Sequence, residues 1–318
     1  MKLINLKLKK YISSIYNLFN ALNILLTGGS GFIGSNIKRY LLHKDHKIIE
    51  IKSIKSNKDF ISKESKIFFA DLKQDNLDRL YDKLKTANIE VVIHCAALLN
   101  QNASNRDFLL TNTLGTNTLF LLAKRLNVQK FIYLSGLTII GKPINIPINE
   151  EHPINPLNIY HASKFYGENI ISLDKDHAIS TLILRITAPI GPNLPKQRFL
   201  SRLIIDCMLN KEIILFGRGA RIQNYIHTND ISRFIQICIT NECEGIFNLG
   251  GSQSISNLDL AKLCIAKTNS KSNIRFFGED KEEQFKWIIS MAKAKKNLDF
   301  EPKYDLEYMV EEQIKYLK

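Results

Sequence analysis

The sequence predicts an α/β chain built on a doubly wound parallel sheet, with a smaller, discontinuous C-terminal domain. Three observations carry the prediction. Short β-branched runs alternate with helical patterns from residue 23 to about 185, a glycine-rich turn joins the first run to the first helical pattern, and after Arg185 the alternation gives way to loop-rich sequence. Strands separated by helices of this length form βαβ units, and their right-handed crossovers build a parallel sheet with helices on both faces.

Taken in order, NILLT (23–27) is an apolar strand, and GGSGFIGSNIKRYLLHK (28–44) supplies a turn and a helix. HKIIEIK (46–52) and IFFAD (67–71) are the next strands, followed by the helical DNLDRLYDKLKT (75–86). VVIHCAA (91–97), a helix over about 108–126 and the strand KFIYLS (130–135) come next. A proline-rich loop leads to a helix from Asn158 to Leu173 and to the strand STLILR (180–185). Beyond it, APIGPNLP and GRGARIQNYIH are loop-rich, FNLGGSQSIS follows, and the tail to residue 318 is polar with scattered aromatics. The expected organisation is an N-terminal extension (1–22) without an assigned role and a nucleotide-binding domain of the Rossmann type (23–185 plus about 226–265). A cap (about 186–225 plus 266–318) completes it. Neither internal repeats nor low-complexity segments are present.

Composition excludes several classes. At 318 residues and 45% hydrophobic, the chain is long and apolar enough for a large core. No apolar run reaches the roughly 18–20 residues that span a bilayer. The net charge of +13 is scattered, without aromatic residues interleaved along a basic stripe, so a biased background composition accounts for it better than nucleic-acid binding. The five cysteines form no CxxC pair and the seven histidines are dispersed, so free thiols, no metal and a reducing, cytoplasmic setting are expected. The first residues, MKLINLKLKKYISSIYNLFNALN, combine lysines with a broken apolar stretch and no small-residue cleavage site. They suit a short amphipathic helix better than a signal peptide.

The chemistry concentrates in two stretches. TGGSGFIGS (27–35) sets Gly28, Gly31 and Gly34 in a GxxGxxG spacing between a strand and a helix. In that context the glycines permit the tight turn, the close approach of backbone to a pyrophosphate and helix–sheet packing, and the N–H groups about Phe32 and Ile33 open the helix towards a phosphate. A purely structural turn is the competing reading. An acid commonly ends the second strand and takes the ribose hydroxyls. Here Glu50 lies inside the strand and Lys52 ends it, and Lys52, Ser53 and Lys55 suit a 2′-phosphate. An NAD(P) cofactor is expected, with NADP(H) favoured, although lysines are abundant throughout. The second stretch, YHASK (160–164), sets Tyr160 one helical turn before Lys164. A phenol with a pKa of about 10 is a poor base at neutral pH, and a neighbouring ammonium stabilises its phenolate. The same spacing also arises by chance on solvated helices.

TGxxGxxG followed by YxxxK resembles the extended short-chain dehydrogenase/reductase superfamily and, more narrowly, the NAD(P)-dependent epimerase/dehydratase family that acts on nucleotide sugars. HCAA (94–97), NTLGTNTLFLLA (112–123), LRITAPIGPN (184–193), NYIHTND (224–230) and FNLGG (247–251) match further motifs of that family in the same order, and the likeness covers about residues 23–300. The resemblance implies adenine contacts at Asp71 and Leu72, cofactor contacts at Ala96, Ala97 and Asn112, Tyr160 as acid/base, and Lys164 as the group that lowers its pKa and holds the nicotinamide ribose. It also implies that the cap binds the substrate and that two copies pair through the helices at 108–126 and 158–173. The chain departs from the family at three places. The usual Ser or Thr at the end of the fifth strand falls on Gly136, which leaves Ser135 and Thr138 as candidate hydroxyls. The Asn of LRxxN is Ala188. The arginine that often holds the substrate diphosphate is Gln223, so Arg221 and then Arg218 are the candidate replacements, with Asn193 nearby in the GPN motif. Leu137-Thr138 stand where a dehydratase carries Asp-Glu, which disfavours dehydration. The resemblance therefore points to an epimerase or 4-ketosugar reductase for a nucleotide-diphosphate sugar. The alternative is a regulatory or assembly protein of the same fold that has lost catalysis.

Overall fold

The structure, a computed structural model, describes residues 21–53, 65–74, 76–100, 102–174 and 179–318. Most of the expected N-terminal extension, and Lys55, lie outside them. Strand β1 (Asn23–Thr27) runs into the glycine turn and helix α1 (Phe32–Leu42), then β2 (Lys47–Lys52), β3 (Lys66–Phe69), α2 (Leu77–Leu84) and β4 (Val91–His94). Val91, Val92, Ile93 and His94 are all buried, as expected of a strand covered on both faces of a parallel sheet. The helix expected at 108–126 is divided. A turn of α-helix, α3 (Asn105–Phe108), leads through a π-helical turn (Leu109–Leu114) into α4 (Gly115–Arg125). Strand β5 (Lys130–Gly136), a 3₁₀ turn (Leu137–Ile140), α5 (Ile159–Ser172) and β6 (Ser180–Ile186) follow.

The remaining elements are β7 (Ala188–Ile190), α6 (Phe199–Met208), β8 (Ile213–Phe216), β9 (Ile222–His227), α7 (Thr228–Thr240), β10 (Gly245–Leu249), β11 (Ser254–Ser256), α8 (Asn257–Thr268), β12 (Ile274–Phe277), α9 (Ala292–Leu298) and α10 (Leu306–Leu317). Seven strands form one sheet in the order β3-β2-β1-β4-β5-β6-β10. The first six reproduce the strand order of the doubly wound nucleotide-binding fold. The pairs β1–β2, β1–β4, β2–β3 and β4–β5 are parallel. β1 and β4 are neighbours although four elements (α1, β2, β3 and α2) separate them in sequence, so the strand order reverses there and the turn after β1 emerges beside the loop after β4. Leu25, Ile49, Val92 and Phe131 of the sheet pack with Leu80 and Leu84 of α2 and with Leu119, Phe120 and Ala123 of α4. The Phe120 and Phe131 rings meet edge to face at 5.1 Å.

The chain separates into two compact units. The first comprises the chain up to Ile139, with Pro156–Leu184 and Ser232–Phe247; the second comprises Ile140–Asn155, Arg185–Ile231 and Asn248–Lys318. The expected boundary had assigned 140–155, 226–231 and 248–265 to the nucleotide-binding domain. Backbone pairing explains the difference. Ile148 donates to the Ile288 carbonyl at 2.7 Å and accepts from the Ser290 N–H at 2.8 Å, which ties 140–155 to the C-terminal segment. In the second unit β9 pairs in parallel with β7 and antiparallel with β11, and β8 pairs in parallel with β12.

Candidate active site

The glycine turn is set by close contact. Gly28 has φ +73°, and a Cβ there would lie 2.6 Å from the Ala96 nitrogen. A Cβ on Gly34 would collide with the Gly28 carbonyl oxygen. Gly31 is the N-cap of α1, and no side chain caps that helix. Its first-turn N–H groups, at Phe32, Ile33 and Gly34, therefore face the turn with the positive end of the helix dipole behind them. A bound phosphate is the ligand such an end accepts, so these residues fit the diphosphate of a dinucleotide.

His94 and Asn112 organise the loop beside this turn. The His94 ring meets the Thr27 hydroxyl at 2.6 Å through Nδ1 and the Thr116 hydroxyl at 2.9 Å through Nε2. Thr116 donates its own proton to the Asn112 carbonyl at 2.6 Å, so it accepts from His94, which places the imidazole proton on Nε2. Burial pushes the His94 pKa down to about 3, helped by the Lys164 charge. His94 is thus a neutral clamp and no acid/base. The Asn112 side chain accepts from the Leu98 N–H at 2.6 Å and donates to the Leu98 carbonyl at 3.1 Å and to Ser163 Oγ at 3.0 Å. Its amide ties the loop carrying Ala96 and Ala97 to α5.

Tyr160 and Lys164 stand on the first two turns of α5. Asn158 caps the helix by accepting from the His161 N–H at 2.9 Å. Tyr160 is the second helical residue, so the dipole there favours a phenolate. Ser163 Oγ donates to the Tyr160 carbonyl at 2.7 Å, which extends the Leu98–Asn112–Ser163 chain to the tyrosine's own backbone. The Tyr160 ring lies 6.3 Å from that of Phe108. Lys164 is 3% exposed, and its ammonium sits 4.0 Å over the Tyr133 ring. Burial pushes its pKa down to about 7, partly offset by Cys95 and Glu168. In the unfolded chain the amine titrates near 10.5. Between those values the unfolded state binds more protons, so stability rises with pH; below pH 7 both states are protonated and the full burial cost remains. In unfolding measurements without nucleotide, Lys164→Met is expected to be more stable than wild type near pH 6. That advantage should shrink by on the order of 1 kcal/mol per pH unit above 7. A constant difference would contradict the burial of an ammonium at this position.

Two hydroxyls stand near the gap left by Gly136. Ser135 is buried, and its Oγ has no hydrogen-bond partner. It shares the β5 face of Tyr133, two residues earlier. Thr138 is exposed on the 3₁₀ turn, and its Oγ1 lies 3.5 Å from where a Cβ of residue 136 would be. The Thr138 hydroxyl therefore borders the space that the missing side chain would fill.

The other predicted positions are placed as follows. Asp71, half-buried, accepts from the Lys73 N–H at 3.1 Å, and Leu72 faces Gly115. Lys52 ends β2 and is buried. In the second unit Arg221 grips Asp280 through two bonds of 3.0 and 2.6 Å and reaches Glu282 at 2.8 Å. Arg218 is far more exposed and pairs with Glu283 at 3.7 Å. Asn193 is exposed with φ +65°. Sequence reasoning missed Ser163 and the acids on Arg221. A serine inside a helix, three residues after the tyrosine whose carbonyl it bonds, was a usable signal. No signal in GEDKEEQ (278–284) indicates that it meets residue 221. Among the described residues, no group of three or more metal-ligating side chains occurs, and no helix is long and apolar enough to cross a membrane.

The sequence profile of the NAD dependent epimerase/dehydratase family matches residues 24–250. A Methanocaldococcus jannaschii protein provisionally named UDP-glucose 4-epimerase is 30% identical over 310 residues, covering 93% of this chain and 98% of its own. The dTDP-D-glucose 4,6-dehydratase of Dictyostelium discoideum is 32% identical over 268 residues, 76% of this chain and 61% of that protein. The Bordetella bronchiseptica enzyme WbmG, solved with NAD and UDP, superposes with a TM-score of 0.84 at 16% identity over 93% of this chain and 95% of that one.

Proposed function

Since the chain belongs to the NAD dependent epimerase/dehydratase family, we propose that it is an NAD(P)-dependent enzyme acting at a hydroxyl-bearing carbon of a nucleotide-linked sugar, as a 4-epimerase or a 4-ketosugar reductase. The observation that carries this reading is the Lys164 ammonium, buried one helical turn after Tyr160, in the unit that holds the uncapped glycine turn. The fold recurs in proteins solved with NAD and UDP, which supports a dinucleotide cofactor and a nucleotide-linked substrate. When bound, a nicotinamide supplies the acceptor and donor of hydride.

The residues of this chain do the rest. Gly28, Gly31 and Gly34 shape the turn that takes the diphosphate, with the N–H groups of α1 behind it. Tyr160 takes the proton of the sugar hydroxyl and returns it, Lys164 favours the phenolate form and orients the ribose beside it, and the Ser163–Asn112 chain fixes the tyrosine's backbone. The Thr138 hydroxyl, accessible where Ser135 is buried, bonds the same sugar oxygen. Leu137 and Thr138 offer no carboxylate for dehydration, which favours epimerisation or reduction although relatives include a dehydratase. In the second unit Arg218 and Arg221 are the candidate partners of the substrate diphosphate, and Arg221 must exchange carboxylate for phosphate to serve.

A second copy of the chain is the partner we assign to the helical face bearing exposed Leu114, Leu121 and Tyr166. Sedimentation of Leu121→Glu should then show a lighter species than wild type. The function itself is tested by denaturing purified protein and identifying released nucleotide, followed by a nucleotide-sugar panel with NADH and NADPH. Tightly held NAD marks an epimerase, and NADPH consumption with a 4-keto nucleotide sugar marks a reductase. Binding without turnover on any member would favour the regulatory alternative.

A further inference from the structure

The Lys164 ammonium rests on the face of a ring that comes from another element. Tyr133, on β5, is fully buried and belongs to the apolar core with Phe120, Phe131 and Ile171. Lys164 Nζ lies over the ring, 4.0 Å from its centroid. The Tyr133 hydroxyl donates to the Lys164 backbone carbonyl at 3.3 Å, so the ring is tied to the same residue whose ammonium it carries. Gly167 admits this approach, because a Cβ there would collide with the Tyr133 hydroxyl. The His94 ring, held by Thr27 and Thr116, flanks Tyr133 at 5.6 Å between centroids.

An ammonium this deeply buried has given up most of its hydration, and burial alone favours the free amine. The titratable groups that face it are Cys95 on the loop after β4, Glu168 one turn further along α5, and His94. Burial keeps Cys95 a thiol, with its pKa pushed up to about 12, and keeps His94 neutral. Tyr133 itself stays a neutral phenol, since burial first, and then the charges of Glu168 and Tyr160, push its pKa up. With its hydroxyl donating to a carbonyl, Tyr133 offers the ammonium its π face. A cation within about 6 Å of a ring centroid is drawn to that face by the ring quadrupole, most strongly when both are desolvated.

We propose that Tyr133 is the positioning residue of Lys164. Its ring face holds the amine in the ammonium form and fixes that charge one helical turn from Tyr160. The inference rests on the reading of Lys164 as the charge that favours the Tyr160 phenolate, and it adds a residue of β5 that lies outside YHASK.

Nuclear magnetic resonance of the full chain, with lysine labelled by carbon-13 at Cε, tests it without cofactor or turnover. The Lys164 signal is identified by its loss in Lys164→Met, and its titration midpoint is read in each protein. Tyr133→Phe keeps the ring face and should leave the midpoint within about 0.3 pH units of wild type. Tyr133→Leu removes the face and should lower the midpoint by about one pH unit or more, the size of a desolvated cation–π contact. A chain carrying 3,4,5-trifluorophenylalanine at position 133 nearly keeps the shape but drains the ring face of electron density. Its midpoint should fall below that of Tyr133→Phe by about half a pH unit or more. That comparison decides the matter even if Tyr133→Leu does not fold: equal midpoints in the phenylalanine and trifluorophenylalanine proteins overturn the proposal. A fall in Tyr133→Phe as large as that expected of Tyr133→Leu also overturns it, and assigns the role to the hydroxyl. Midpoints that follow the ring in a chain that turns over no nucleotide sugar support the role of Tyr133 and count against the catalytic reading alone.

Discussion

Replacing Tyr160 by phenylalanine is expected to lower turnover of a nucleotide-sugar substrate by about 10² to 10⁴, the range of a lost general acid–base group. Dinucleotide affinity should stay within about twofold. The substitution removes one oxygen and leaves the ring that lies near Phe108. The backbone support is untouched, because Ser163 bonds the residue 160 carbonyl and not its side chain. Asn158 still caps the helix through the His161 N–H. A loss of turnover with intact binding therefore reports chemistry at the phenol. Steady-state rates and nucleotide titration on the same preparation check it, and a variant that turns over at the wild-type rate would remove Tyr160 from the mechanism.

Removing the Thr138 hydroxyl should produce the next largest effect. Thr138→Ala is expected to lower turnover by about 10² through loss of a hydrogen bond to the reacting oxygen. The distinguishing result is rescue. Thr138 Oγ1 lies 3.5 Å from the Cβ position of residue 136, in ordinary contact, so a serine at 136 fits without displacing backbone. Gly136→Ser added to Thr138→Ala should restore at least about tenfold of the loss. Ser135→Ala should change turnover by less than about threefold, since its buried Oγ bonds nothing in the folded chain. Should Ser135→Ala prove the crippling change and Thr138→Ala the silent one, the hydroxyl would belong to residue 135.

Much of this was legible in the residues themselves. β1 matched its predicted bounds, and α5 and β5 came within a residue or two, because buried apolar runs and an Asn cap are local signals. The glycine spacing and the Tyr160–Lys164 pair are local too. The helix expected at 108–126 was not seen as three pieces; its π-helical turn holds Asn112, whose partners Leu98 and Ser163 lie 14 and 51 residues away and leave no local signal. The unit boundary was displaced for the same reason, as Ile148 pairs with backbone 140 residues later. Arg221 looked like a free phosphate ligand in sequence, and only the fold shows Asp280 and Glu282 on its guanidinium. Glu50 was visible as an acid out of place, but its bond to Lys38 and its approach to Gly29 required three dimensions.

Tyr160, Lys164 and the glycine turn act together only if hydride leaves a sugar carbon as Tyr160 takes a proton. Rapid mixing of dinucleotide-loaded protein with UDP-sugars and dTDP-sugars, followed at the absorbance band of reduced nicotinamide, observes that step before product release. A burst should appear in wild type with at least one of these sugars and vanish in Tyr160→Phe loaded to the same extent. An equal burst in both proteins, or none in wild type with any nucleotide-linked sugar while the dinucleotide remains bound, would contradict the account.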